Sequence, residues 1–268
     1  MPGRTARILL TLLFAVFLAF LYGPTLTITI LSFQGPDGGL TFPMNGASLH
    51  WFGRLFATQA VGDLGAALRR SLALAAMVTV CTVLVSLAAG MAFRRRFPGG
   101  TALFYLTLAS LIVPSILVSL GVGLLFTLME WEPTWYSSAF GAQLTWTLPF
   151  GLLIIFALFN RFDRAWEEAA RDLGATPWQS FLHVVLPIIA PGVVGIALFG
   201  FTLSFDEFAR TLLTAGTGNT LPLEILGMTT TVTTPVLYAL GTASTALSFL
   251  VIGLAILGVR GLRRPRER

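Results

Sequence analysis

Lysine is absent from this sequence: all 17 of its basic residues are arginine. A P-loop ATPase needs the lysine of its GK[ST] motif to reach the phosphates, so this chain cannot hydrolyse ATP by that route. Cysteine occurs once, as Cys81, inside an apolar run. That excludes an intrachain disulfide and a cysteine-based metal cluster. The two histidines, His50 and His183, are far apart and neither sits in an HExxH spacing, which argues against a zinc hydrolase. Charge of either sign is scarce. Charged residues are 11% of the 268, against roughly 25% in a soluble domain. A water-facing shell around one core cannot be built from so few.

What is present is apolar. Hydrophobic residues are 55% of the chain and the mean hydropathy is +0.82. The composition predicts an all-α integral membrane protein, because a spanning helix satisfies every backbone polar group within itself. A span needs roughly 20 mostly apolar residues. Six stretches qualify: Ile8–Leu31, Leu72–Phe93, Leu103–Met129, Leu144–Phe159 (starting near Gly141), Ile188–Leu213 and Tyr238–Val259. The first follows Arg4 and Arg7, as in a signal peptide. Its apolar run is too long for one and no A-x-A site follows, so it reads as an uncleaved helix with a cytoplasmic N-terminus.

Arginine placement sets the orientation. With both termini cytoplasmic, thirteen of the 17 arginines fall inside: Arg4, Arg7, Arg94, Arg95, Arg96, Arg161, Arg164, Arg171, Arg260, Arg263, Arg264, Arg266 and Arg268. Only Arg54, Arg69, Arg70 and Arg210 fall outside. The flipped topology opposes the positive-inside bias. The same bias accounts for the net charge of +5 without nucleic acid: the runs Arg94–Arg96 and Arg263–Arg268 read as anchors beside anionic headgroups. The outer segment Ser32–Ser71 carries turn signals and a short surface helix near Ser48–Phe56. Trp131, Trp135 and Tyr136 read as an interfacial aromatic belt, with Glu130 and Glu132 beside them as weak site candidates.

The inner loop Arg161–Pro187 is the most patterned segment. Asp163 is a candidate N-cap. Trp166, Ala169, Ala170 and Leu173 recur at helical spacing, with Glu167, Glu168, Arg171 and Asp172 around the other side. Gly174 fits the left-handed position that ends a helix. Thr176, Pro177 and Gln179 make an N-cap, a first-turn proline and a capping box for a second helix, which Pro187 is expected to end. Trp178, Phe181, Leu182 and Val185 repeat the apolar spacing. Two short helices joined by a tight turn therefore project from the inner face. Either they rest on headgroups, or they dock a cytoplasmic partner. The scarcity of basic residues from Trp166 to Leu186 weakens the lipid reading.

Here the sequence resembles a known family. Glu168-Ala-Ala-x-x-x-Gly174, nine residues, then Val184-x-Leu186-Pro187 is similar to the EAA loop of permease subunits of binding-protein-dependent ABC importers. Val113-Pro-Ser-Ile, Leu148-Pro-Phe, Phe201–Phe208 and Thr220–Ile225 resemble the spermidine/putrescine branch, and the likeness runs from about Leu68 to Leu257. The resemblance implies a type I importer permease fold in one transmembrane domain, 1–268, with a core of about 65–258. It implies a place in a bacterial inner membrane. It implies two permease subunits, favouring a hetero-pair, a cytoplasmic ATPase dimer and an extracytoplasmic solute-binding protein. ATP and Mg would belong to the ATPase; no cofactor, metal or catalytic residue is expected on this chain. Glu168, Ala169, Ala170, Gly174, Leu186 and Pro187 would form the element coupling ATPase to pore.

For the solute path, acidic groups near a span default to function. Asp206 and Glu207 are the prime candidates and Glu224 a third. Pairing is the competing role, since Arg210 lies four residues past Asp206. The branch often has a histidine at the start of the fourth span, where this chain has Gln143. The expected activity is ATP-driven import of polyamines or a similar small polar solute. Alternatives are aminoethylphosphonate, iron, thiamine or sulfate in the same machinery, or an ion-coupled secondary transporter. The last is disfavoured by the lack of mid-span acids and internal repeats.

Overall fold

The computed structural model describes residues 3–56, 62–95, 97–231 and 234–263. Arg96, Arg264, Arg266 and Arg268, assigned above to the inner face, lie outside them. Among the described residues every regular element is helical, and five helices are long and apolar enough to cross a membrane.

One compact unit comprises residues up to Gly65 together with Ile225–Leu250. It contains helix α1 (Arg4–Leu31), the outer segment that follows, α2 (His50–Gly53) continuing as a 3-10 turn over Arg54–Phe56, and much of α11 (Val236–Arg263). The surface helix expected near Ser48–Phe56 is this α2 and its extension. The outer segment folds around Gln34, which is fully buried. Its Nε2 donates to the Gly39 carbonyl at 3.2 Å and its Oε1 accepts the Asn45 amide at 2.8 Å. Both ends of the amide are satisfied, which is what lets a polar side chain stay inside. The Tyr238 hydroxyl donates to the Leu40 carbonyl at 2.8 Å, tying the segment to α11.

The second unit, Ala66–Glu224 with Val251–Arg268, carries every remaining candidate residue. It holds α3 (Leu64–Phe93) from Ala66 onward, α4 (Gly100–Ala109), α5 (Ser115–Leu128), α6 (Ser138–Arg161), α7 (Ala165–Asp172), α8 (Pro177–Ser180), a π-helical turn over Phe181–Val185, and α9 (Leu186–Phe205). Helix α10 (Leu221–Thr231) starts at its end. Leu152 and Ile155 of α6 pack with Val185, Ile189 and Ile196 to form the main core. Leu74, Val78 and Ala139 join α3 to α6, with Trp135 against them. Gly151 allows the closest approach, since a Cβ there would run into Ser86 and Thr82 of α3. Beside it the Thr82 hydroxyl donates to Thr147 at 2.8 Å.

Three expectations are corrected. The third span is not one helix. It breaks between Ala109 and Ser115, where Pro114 supplies no amide and holds an extended ψ of 132°, capping α5. The fifth helix stops at Phe205 rather than Leu213, because Asp206 leaves helical geometry at φ −93°, ψ 3°. Pro187 does not end the second loop helix. The wider π turn before it absorbs the missing hydrogen bond and the ring's bulk, so α8 runs on into α9 as one 29-residue rod. The segment after Leu213 contains α10.

Candidate functional site

Two clusters sit at opposite ends of the second unit. At the inner end is the loop of α7 and α8. Asp163 accepts the Ala165 amide at 2.9 Å, but it sits one residue ahead of Arg164, which holds the N-cap position of α7. Gly174 has φ +87°. Its amide donates to Arg171 at 2.8 Å and that of Ala175 to Ala170 at 3.0 Å, the paired bonds of a Schellman close. Thr176 accepts from the Gln179 amide at 3.3 Å and donates its own amide to Gln179 Oε1 at 2.9 Å, so the capping box forms as read.

The faces of α7 are set by something the spacing did not reveal. Glu167 is buried, and its carboxylate takes Arg94 at 2.6 Å and Arg171 at 2.9 Å. Arg94 stands over the rings of Phe159 and Phe162, with centroids at 5.1 and 5.4 Å. Arg164 Nη2 donates to the Arg94 carbonyl at 3.2 Å. The loop is therefore pinned to the end of α3 by charge. Its apolar residues turn outward: Trp166 is 62% exposed, Leu173 90% and Trp178 66%. Glu168, Ala169 and Gly174 are exposed as well, while Leu186 and Pro187 begin α9. The Glu167–Arg171 spacing was visible in the sequence; the Arg94 partner, 73 residues away, had no local signal.

At the outer end, the chain leaving α9 turns back between α5 and α6. Gln143 is buried and donates to the Thr211 hydroxyl at 3.1 Å and to the Ser204 carbonyl at 3.4 Å, while Ser204 Oγ donates to its Oε1. Gln143 lies five residues into α6, so this knot sits about 8 Å below the helix's outer end. Replacing Gln143 by Leu leaves the buried Ser204 hydroxyl without its acceptor, while Thr211 keeps the Glu207 carbonyl, and should cost about 1–3 kcal/mol, read as a lower unfolding temperature of the purified protein. An unchanged midpoint would mean that the knot holds nothing.

Arg210 is fully buried beside it. Nη1 donates to Ser115 at 2.6 Å and Nε to Thr145 at 3.2 Å, and the guanidinium lies 4.5 Å from the Trp146 ring centroid. The broken third span thus has a use here: Ser115, first residue of α5, meets the arginine. Nη2 is buried without a hydrogen-bond partner.

The pairing expected for Arg210 changes partner. Its nearest carboxylate is Glu207, at 3.9 Å, whose Oε1 also accepts the Arg210 amide at 2.8 Å. The spacing that favoured Asp206 presumed a continuous helix, and the helix has already ended. Asp206 is exposed and makes no side-chain hydrogen bond or ion pair among the described residues. Glu224 is buried in the first turn of α10 and takes Asn219 Nδ2 at 2.9 Å. Asn219 in turn accepts from Arg70 Nε at 2.7 Å through its carbonyl. Asp206 and Glu207 therefore share one turn with different neighbours, and Glu224 belongs to a separate hydrogen-bond group.

Residues 82–266 match the family model described as "Binding-protein-dependent transport system inner membrane component". The putrescine transport system permease protein PotI of Escherichia coli (strain K12) is 30% identical over 83% of this chain and 80% of its own length. The spermidine/putrescine transport system permease protein PotC of Haemophilus influenzae is 30% identical over 90% of this chain and 93% of its own. A crystal structure of a bacterial ABC transporter involved in the import of the acidic polysaccharide alginate contains a chain that superposes with TM-score 0.73 at 16% identity, over 96% of each chain. With that architecture and those relatives, the chain belongs to the binding-protein-dependent inner membrane components: it is a permease subunit of an ABC importer in the inner membrane, partnered by an ATPase and a solute-binding protein.

Proposed function

We propose that this permease carries a small cationic solute of the polyamine class, and that Asp206 is the carboxylate the solute meets. The carrying observation is the division of labour in one turn: Glu207 is spent on Arg210, while Asp206 is exposed without a partner. Relatives named for putrescine and for spermidine/putrescine support the same class. Glu224, held by Asn219, shapes the outer end of the path from a distance.

Coupling falls to the inner loop. Glu168, Ala169, Ala170 and Gly174, with Leu186 and Pro187 at the root of α9, receive the push of a cytoplasmic ATPase dimer, which binds the ATP and Mg. The exposed Trp166, Leu173 and Trp178 supply the apolar contact. The rod from Pro177 to Phe205 carries the shift outward, since a stiff helix transmits rigid-body motion. The chain works as one permease domain and pairs with a related permease rather than a copy of itself.

The test is uptake by the complete importer reconstituted in vesicles. Asp206→Asn should reduce putrescine uptake about tenfold at sub-saturating solute, through a higher KM, with the protein still in the membrane. Unchanged KM for Asp206→Asn would remove that carboxylate from the path. A second reading keeps the machinery and changes the solute. The orphan Nη2 of Arg210 suits the acid end of a zwitterion such as aminoethylphosphonate, once the outer turn opens around it. Uptake of aminoethylphosphonate without putrescine uptake would favour it.

A further inference from the structure

We infer that this subunit carries a built site for one anionic phospholipid of the inner leaflet. The site is a groove of about 620 Å³ enclosed by the inner ends of α3 and α6 and the start of α4. Phe93, Phe104, Leu153 and Phe156 make its walls. Arg94, Asn160 and Arg164 close its inner end. Seven residues separate Leu153 from Asn160 on α6, which is about 10 Å along the bilayer normal. The groove is therefore polar at headgroup depth and aromatic one to two turns deeper, the profile of a headgroup with the first carbons of an acyl chain.

The charge at that end is fixed before any lipid arrives. Arg94 is held by Glu167 at 2.6 Å and by two aromatic faces. Arg164 is exposed, is steered by its bond to the Arg94 carbonyl, and has no carboxylate within 4 Å among the described residues. With Glu167 offsetting Arg94, Arg164 leaves the rim with net positive charge, and Asn160 adds a neutral donor. A phosphodiester with an uncharged or anionic headgroup complements that rim; phosphatidylcholine brings its own cation and does not. A free soluble anion would leave the aromatic walls unmatched. This goes beyond a general basic collar, because it places one headgroup against Arg164 and one chain between α4 and α6.

The experiment uses the complete importer, stripped of lipid in detergent and titrated with phosphatidylglycerol or phosphatidylcholine, with bound lipid counted by native mass spectrometry. Arg164→Gln removes the charge. Ala157→Phe, at an exposed lining position, fills the groove and leaves the charge in place. Phosphatidylglycerol should saturate at one site per subunit; Arg164→Gln should weaken it by about fivefold, the effect of one arginine near a membrane surface, and Ala157→Phe should weaken it by displacing the acyl chain. Equal binding of the two lipids overturns the headgroup assignment. Parent-like retention by both variants, or no tightly held phosphatidylglycerol in the intact importer, overturns the site.

Discussion

Gly174→Asp should abolish uptake while leaving the subunit folded and inserted. Its φ of +87° costs a residue with a Cβ roughly 1–2 kcal/mol, because the Cβ crowds the following carbonyl. Space is not the obstacle: a Cβ built at this position meets nothing within 4 Å. The strain is confined to the turn and spares the cores of α6 and α9. It lands on the Schellman close, where Gly174 and Ala175 cap Arg171 and Ala170. On the proposed coupling, relieving it swings the end of α7 and its exposed Leu173 away from the docked ATPase. Asparagine tolerates left-handed geometry better than other residues with a Cβ. Uptake by reconstituted importer should therefore fall in the order Gly, Asn, Asp, with Asn partly active. Solute-stimulated ATP hydrolysis should fall in the same order, and membrane yield should not. Normal uptake by the Asp variant would mean that the turn does not transmit the stroke.

Glu167→Ala should be the most destabilising single change in the inner loop. The carboxylate holds two arginines and is 10% exposed; Arg94 is 14% exposed. Removing the carboxylate strands Arg94, which is largely shielded from solvent, at a cost on the order of 3 kcal/mol. For a chain of this size, the purified subunit should lose about 6–12 °C in unfolding midpoint. Apolar side chains of similar volume restore packing without a buried charge, so Arg94→Met with Glu167→Leu should recover most of that loss. Uptake should stay low in the double variant, because α7 is then no longer aimed by a charge at the end of α3. A midpoint within 1 °C of the parent for Glu167→Ala would show that the pair is not what holds the loop.

The two outcomes trace to different kinds of information. Gly174, Thr176, Pro177 and Gln179 act within a turn of themselves, and caps and left-handed glycines are chosen by the local backbone. Their geometry was therefore legible along the chain, as were the long apolar helices.

Partners remote in sequence were not legible. Periodicity gives a helix its faces but does not say which face turns inward. On α7 the spacing puts Trp166 and Leu173 opposite Glu167 without saying which face packs inward; Arg94, 73 residues earlier, draws Glu167 inside and leaves Trp166 and Leu173 out. The same limit explains Arg210. Its spacing from Asp206 means contact only on an unbroken helix, and α9 ends where Gln143 holds Ser204 and Thr211 of the returning chain. Apolar composition and local caps determined the helices and the turns that join them. Which carboxylate is left open, and which is consumed holding an arginine, was decided only by tertiary packing, because a buried charge takes whatever partner the fold brings within reach.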